Sequence, residues 1–330
     1  MTQQTPHIVG LGNALVDVVA PVEHDVIGRH GLTPGGMHLV DAEAARVLFE
    51  DVAPGVRQSG GSVANSMAHA AELGCRSTYL GKTARDELGE TFRADMDVLG
   101  VAQPIPAAAT ESGTGRCVVL VTPDGERTMS TYLGAAVELH PDDIAGACPE
   151  ACDILFVEGY LWDAPHGAEA IAEAAGRARA AGARVALTPS DPGCAERNRA
   201  AMSGFLAEHA DILVGNRDEV SALAGGAPHA EAALDWAMKS VAAAAVTDSA
   251  NGSWVAADGT MAHVHAVPVT EVVDSTGAGD AFAAGFLAAL ARRQSAPEAG
   301  RLGARQAAQV LGHYGARDGA AAEALSFSAA

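Results

Sequence analysis

An α/β protein with a predominantly parallel central sheet is the expectation for these 330 residues. Through the second half, short apolar runs suited to buried strands alternate with stretches of helical spacing, the order that lays helices over a parallel sheet. In the first half, shorter mixed pieces lie between Gly and Pro punctuation and suit a small sheet apart from the main core. A glycine loop, Asp274-Ser275-Thr276-Gly277-Ala278-Gly279-Asp280, runs into an apolar helix from Ala281 to Leu287.

The elements follow in order. His7 to Asn13 reads as a short strand and tight turn, Ala14 to Val19 as a second strand, and Gly35 to Val40 and Val56 to Gln58 as pieces of the small sheet, an insertion placed to cover a pocket. A helix is expected from Asn65 to Leu73 and a strand at Thr78 to Leu80. Leu88, Phe92, Met96 and Leu99 recur at helical spacing and face the core. Arg116 to Thr122, a turn at Pro123 to Glu126, and Arg127 to Tyr132 form strand, turn and return. Further on, strands at Asp153 to Val157, Arg184 to Thr188, Asp211 to Gly215 and Ala243 to Thr247 are separated by helices at Ala168 to Ala181 and Ala200 to Glu208. A polar turn is expected at Asn216 to Glu219, and a hairpin at Gly252 to Ala256 and Met261 to His265. Helices beginning near Thr276 and Leu302 close the chain, with Gly315 as the stop of the last. The alanine-rich tail after Arg317 reads as helix or flexible end without catalysis.

Twenty-one Lys and Arg against forty-one Asp and Glu give a net charge of −20, a surface that repels nucleic acid and anionic lipid. Neither is expected as a partner. No run reaches the roughly 18 apolar residues of a membrane span, and the start lacks a basic then apolar signal pattern. A cytoplasmic protein is the expectation. Cys75, Cys117, Cys148, Cys152 and Cys194 are dispersed and odd in number, which suits reduced packing residues.

Unpaired N–H groups at a helix start attract anions, and glycines allow close backbone approach. The loop can therefore hold a transferring phosphoryl group with Asp280 beside it as a base, although a carboxylate there also serves as a plain helix-terminal charge. Asn13, Asp17 and the segment Gly60-Gly61-Ser62-Val63-Ala64-Asn65 form a polar cluster suited to ligand hydroxyls. Asp17 also reads as a turn carboxylate and Asn65 as a helix cap. Asn216 and Glu219 lie three apart in sequence, which suits either a hydrated divalent cation or a solvated helix start. Thr247 and Gly252 bracket a turn that reads as a nucleotide contact or as ordinary loop. Arg116, Arg127 and Tyr132 surround one turn and suit phosphate and base contacts or packing.

Other patterns carry no site. Gly10 and Gly12 lack the third small residue of a dinucleotide fingerprint, since position 15 is Leu. Gly81-Lys82-Thr83 ends like a P-loop, but Arg76 stands where its first glycine belongs. His263 and His265 lack a zinc ligand set, His313 reads as structural or as lying near a nucleotide, and Cys148 and Cys152 lack CxxC spacing.

In this order, Gly60 to Asn65, Asn216-Arg217-Asp218-Glu219 and Asp274 to Asp280 resemble the ribokinase-like sugar and nucleoside kinases, the PfkB carbohydrate kinase family. The resemblance implies a ribokinase-like fold: one kinase unit over residues 1–330, with a large α/β/α domain and a small β lid from segments 14–60 and 103–133. It implies ATP as co-substrate and Mg²⁺ as cofactor. Asp280 then matches the general base, and the amides of Gly277, Ala278 and Gly279 match the anion hole. Asn216 and Glu219 match the Mg-associated element, with Glu219 acting through water. Asn13, Asp17, Gly61 and Asn65 match acceptor-side positions, Asp17 taking vicinal hydroxyls, and Thr247 and Gly252 match nucleotide contacts. Asp274 and Thr276 resemble positions near a K⁺ site in some members. Ser275 departs from the usual threonine but keeps the hydroxyl. Gly12 to Asp17, Glu126 to Gly134 and Glu158 to Trp162 look most like the adenosine-phosphorylating bacterial members and close sugar-kinase relatives, which implies adenosine and ATP as partners. A free-sugar kinase and a nucleoside-binding regulator without catalysis are the alternatives, and both monomer and homodimer fit.

Overall fold

Alternate residues of the central strands go to opposite cores, and this splits the molecule into layers. In the computed structural model, which describes residues 5–52, 56–123, 126–313 and 315–317, the strands are β1 (His7–Leu11), β2 (Leu15–Pro21), β3 (Met37–Leu39), β4 (Val56–Gly60), β5 (Arg76–Leu80), β6 (Val101–Ala102), β7 (Gly115–Val121), β8 (Arg127–Tyr132), β9 (Ile154–Glu158), β10 (Arg184–Thr188), β11 (Ile212–Asn216), β12 (Ala243–Thr247), β13 (Ser253–Ala257) and β14 (Thr260–Val264). Ile154, Phe156, Ile212, Val214, Ala243 and Ala245 enter one core with Val63, Met67, Phe282 and Phe286. Leu155, Val157, Leu213, Ala244 and Val246 enter the other with Ile171, Phe205, Leu206 and Leu234. A strand with apolar residues on both faces must be covered on both, and helices Ser62–Glu72 and Ala278–Ala291 on one side and Gly167–Ala180 and Arg199–Glu208 on the other supply the cover.

The large sheet has the order β14-β13-β12-β11-β10-β9-β1-β5-β6. Its ladders from β12 to β6 are parallel, and β13 and β14 form the expected antiparallel hairpin at one edge. The architecture is therefore ribokinase-like α/β with a mostly parallel sheet. A separate sheet, β3-β8-β7-β2-β4, forms the lid. Val16, Val18, Val118 and Leu120 pack beneath Ile27 and Leu48 of helices His24–Arg29 and Ala42–Asp51. Because side chains alternate, Val19 and Asp17 fall on the other face, beside Val119 and Cys117 of the neighbouring strand.

Boundaries differ from expectation where a local device acts. The helix expected from Asn65 begins at Ser62, because Gly61, at φ 99°, turns the chain directly from β4 into it. Asn65 is thus inside the first turns and is not a cap. Asn216 to Glu219 is the helix-start alternative and not a free turn, since helix Arg217–Ala224 begins there. The last helix runs Ala296–Val310, starting before Leu302 because Ser295 and Glu298 form a capping box. It ends short of Gly315, whose N–H instead reaches the Asp274 carboxylate at 2.7 Å. Asp124 and Gly125 of the expected turn and the tail beyond Arg317 lie outside the described residues. All five cysteines are free thiols, and no helix among the described residues is long and apolar enough to cross a membrane.

Candidate active site

Parallel strands end in register, so β9, β10, β11 and β12 bring Glu158, Thr188, Asn216 and Thr247 to one edge of the sheet. Ligands of such sheets bind outside the carboxyl ends of the strands. An open cleft of about 420 Å³ lies there, and Asn216, Glu219, Thr247, Gly279 and Asp280 line it together with Ser62 and Ser66.

Asp280 enters this cleft from the first turn of helix Ala278–Ala291. Ser62 Oγ donates to its Oδ1 at 2.6 Å and Asn65 Nδ2 to its Oδ2 at 3.2 Å, while Ser66 Oγ donates to its main-chain carbonyl at 3.0 Å. Burial pushes the carboxyl above its ordinary value, and the Ser62 and Asn65 donors oppose that rise. Gly277 caps the helix at φ 78°, and a side chain there would sit 2.5 Å from the Ala316 Cα, so both conformation and space demand glycine. Ala278 N–H closes a turn onto Ser275 O at 3.2 Å, and the first helical bond runs from Ala281 N to Gly277 O at 2.9 Å. The amides of Gly279 and Asp280 occupy the part of the first turn that lacks intrahelical acceptors.

The Asp274 carboxylate takes only donors. Thr276 N and Oγ1 donate to Oδ1 at 3.0 and 2.9 Å, Gly315 N donates to Oδ2, and Arg127 Nη1 of β8 lies 2.6 Å from Oδ2. A monovalent cation needs oxygen acceptors, whereas this carboxylate is neutralised by a guanidinium. The Asp274 and Thr276 arrangement does not fit K⁺ as it stands.

Asn216 and Glu219 form a reciprocal cap: Asn216 N and Nδ2 donate to the Glu219 oxygens at 3.0 and 2.6 Å, and Glu219 N donates to Asn216 Oδ1 at 2.9 Å. Burial pushes the Glu219 carboxyl up to about 7. Each oxygen retains lone-pair capacity beyond its single Asn216 donor, so the residue fits a cation bridged by water. No group of three or more His, Cys, Asp or Glu side chains among the described residues is arranged to ligate a metal directly. Thr247 lines the cleft, whereas Gly252 sits at the following hairpin turn against the Val264 carbonyl.

On the acceptor side, Asn13 is 2% exposed and donates through N and Nδ2 to Glu158 Oε1, both at 3.4 Å. The side-chain oxygens of Asn13 and Asn65 are buried without a hydrogen-bond partner, which leaves two acceptors for a hydroxyl-bearing ligand. Asp17 fills the space beside Gly60 that a side chain there would need. Burial pushes its carboxyl up to about 7, with Arg317 and Arg127 pulling it down and Asp280 pushing it up. Gly61 packs against the Asn13 carbonyl. The structure therefore gathers Asn13, Gly61, Asn65 and Asp280 through direct contacts, with Asp17 alongside. Arg116 and Tyr132 serve packing: the guanidinium lies 5.4 Å over both the Phe49 and Tyr132 rings, and the Tyr132 hydroxyl donates to Ser112 O at 2.9 Å. Lys82 donates to Glu138 O and Asp143, in keeping with a false P-loop signal.

Three participants are not picked out individually by the sequence: Ser62 and Glu158, which lie inside segments that carry the family resemblance, and Arg317. Glu158 ends an apolar strand, which is the one hint of a buried role, and its Oε2 accepts from Val63 N at 3.2 Å. Burial pushes this carboxyl up to about 7. Between its unfolded value and that value the folded state binds the extra proton, so Glu158 makes stability fall as pH rises through this window. Glu158→Gln is expected to reduce the fall in unfolding free energy between pH 5 and 8 by more than about 1 kcal/mol. Denaturant titrations at several pH values check this, and an unchanged slope contradicts it.

A carboxylate at a glycine-capped helix start, opening onto a cleft at the carboxyl ends of parallel strands in a molecule with a second, small sheet, is the arrangement of the sugar and nucleoside kinases with a β lid. The profile of the pfkB family carbohydrate kinases matches residues 43–323, and the chain belongs to that family. A probable sugar kinase from Rhizobium etli superposes with a TM-score of 0.86 at 35% identity, covering 98% of each chain. The adenosine kinase from Sinorhizobium meliloti does so with a TM-score of 0.86 at 37% identity, covering 97% of this chain and 98% of that one. Guanosine-inosine kinase of Escherichia coli K12 is 28% identical over 251 residues, 69% of this chain. That match spans about half, 56%, of the Escherichia coli protein's length.

Proposed function

We propose that the protein transfers the γ-phosphoryl group of ATP to the 5′-hydroxyl of adenosine, giving AMP and ADP. The observation that carries the reading is Asp280, held by Ser62 and Asn65 at the amide-bearing start of helix Ala278–Ala291 and opening onto the cleft. Its raised carboxyl makes it a stronger base than an ordinary carboxylate. Likeness to the Sinorhizobium meliloti adenosine kinase over 97% of this chain supports adenosine as the acceptor.

In the proposed reaction, Asp17 accepts hydrogen bonds from the ribose hydroxyls, and the buried acceptor oxygens of Asn13 and Asn65 take further donors. The 5′-hydroxyl is thereby aimed at Asp280, which takes its proton as the oxygen forms a bond to the γ-phosphorus and the bond to the ADP oxygen breaks. Amides at the glycine-capped helix start stabilise the transferring phosphoryl group. Mg²⁺, when bound with the nucleotide, neutralises phosphate charge, and Glu219 with Asn216 would orient it through water. Thr247 and the turn at Gly252 border the nucleotide. No step runs through a monovalent cation.

The test is product analysis with purified protein, ATP and Mg²⁺, and separate adenosine, inosine, guanosine, ribose and fructose reactions. AMP formation preferential to adenosine is expected. Efficient phosphorylation of a free sugar without AMP from adenosine overturns the acceptor.

A further inference from the structure

Arg317 is a guanidinium held inside the protein, 4% exposed, although an arginine stays charged wherever it is placed. Its Nη2 donates to the main-chain oxygen of Ser59 and to Ser59 Oγ at 2.8 Å, and lies 3.4 Å from Asp95 Oδ2. That Asp95 oxygen is already engaged by Ser59 N at 2.7 Å and Ser59 Oγ at 2.6 Å. Nε and Nη1 of Arg317 are buried without partners. Asp95, with its side chain a third exposed, meets this buried cation only through Nη2, so the charge is incompletely matched there.

Arg317 is fastened one residue from the Gly60 backbone against which Asp17 packs. Ser59 and Gly60 pair with Val16 and Leu15 of β2, and the Asp17 carboxylate lies in the space beside Gly60. Two of the proposed catalytic and acceptor groups, Asp17 and Asp280, feel the Arg317 charge, as does Glu72. The other charged or titratable groups bearing on this region are Arg127, which acts on Asp17, Cys117, which stands opposite Asp17 on β7 and feels its charge, His69, which acts on Asp280, and Glu158 and Glu219, which feel the Asp280 charge.

We infer that Arg317 is a positioning residue of the acceptor site: it supplies the positive charge that balances the Asp17 carboxylate and pins the Ser59–Gly60 backbone on which that carboxylate rests. The inference relies on the proposed role of Asp17 toward acceptor hydroxyls. Among the influences that favour the ionised form of Asp17, Arg317 is the largest, and burial alone drives this carboxyl toward neutrality. Without the guanidinium, Asp17 is protonated over more of the neutral range and accepts fewer hydrogen bonds.

The experiment measures adenosine binding by calorimetry without ATP, and kcat/KM with ATP, from pH 5.5 to 9 for wild type, Arg317→Gln, Arg317→Lys and Asp17→Asn. In Arg317→Gln the acidic limb of both quantities is expected to move up by about one pH unit, a roughly tenfold loss on the limb, and Arg317→Lys is expected to restore most of it. A limb unmoved in Arg317→Gln, with only thermal stability lowered, overturns the inference and leaves a structural arginine. Should the single variant not fold, the double variant Arg317→Gln, Asp95→Asn, which removes the uncompensated carboxylate, carries the same comparison. An Asp17→Asn protein that keeps the wild-type limb and affinity is a different result: it defeats the acceptor role of Asp17, and this inference with it.

Discussion

Asp280→Asn is expected to lower kcat by about 10²–10⁴-fold, the range by which a positioned general base accelerates proton transfer. The substitution is close to isosteric, and the Ser62 hydroxyl at 2.6 Å can still donate to the retained carbonyl oxygen. The helix start and its amides are untouched, so nucleotide and acceptor affinities should stay within a few-fold. What disappears is the capacity to take a proton from the attacking hydroxyl. Single-turnover formation of AMP separates this from slowed product release. Turnover within tenfold of wild type would show that the proton leaves by another route and would remove Asp280 from the chemistry.

Asp17→Ala should act on the acceptor instead, with kcat/KM for adenosine falling by about 10–10³-fold. Hydrogen bonds to a charged group contribute roughly 1.5–3 kcal/mol each, and a carboxylate can serve adjacent hydroxyls with separate oxygens. Because burial pushes Asp17 up to about 7, wild-type kcat/KM should climb between about pH 6 and 8 as the carboxylate forms, and the alanine variant should lack this climb. A second readout comes from 2′-deoxyadenosine. Wild type should discriminate against it strongly, whereas the variant, having lost the partner of the missing hydroxyl, should treat the two nucleosides nearly alike. Undiminished discrimination would place ribose recognition elsewhere.

Asp280 could be picked from the chain because its surroundings are local, whereas Asp17 stands out through the family resemblance. Asp280 follows two glycines and precedes an unbroken apolar run, and Asn216 and Glu219 reveal a helix start at a spacing set by the backbone. Strand positions are legible for the same reason, since a run such as Ile154 to Val157 can only be buried on both faces. What joins these pieces is not local. Ser62 and Asp280 are 218 positions apart and Arg317 and Ser59 are 258 apart, so their contacts depend on strand order and on how the last turn returns to β4. Glu158 illustrates the limit: the apolar strand before it hints at burial, but nothing near it in sequence shows that it holds the Asn13 and Val63 amides. Helix starts at Ser62 and Ala296 were displaced from their expected places by a glycine turn and a capping box, devices that act over three or four residues and are easily outweighed by apolar periodicity.

The Arg127–Asp274 ion pair links the returning strand of the lid to the glycine loop, with side chains only 13% and 3% exposed. A charge removed from water in this way is costly to leave unmatched, so the strand and the loop are constrained to move together or to find new partners together. In the proposed reaction, acceptor hydroxyls meet the sheet that carries Arg127, and phosphates meet the loop that carries Asp274. Where occupancy of one side biases this shared contact, the other side must respond by the same factor, because binding free energies around a closed cycle sum to zero. The coupling between nucleotide and acceptor affinities is then one quantity, measurable from either end.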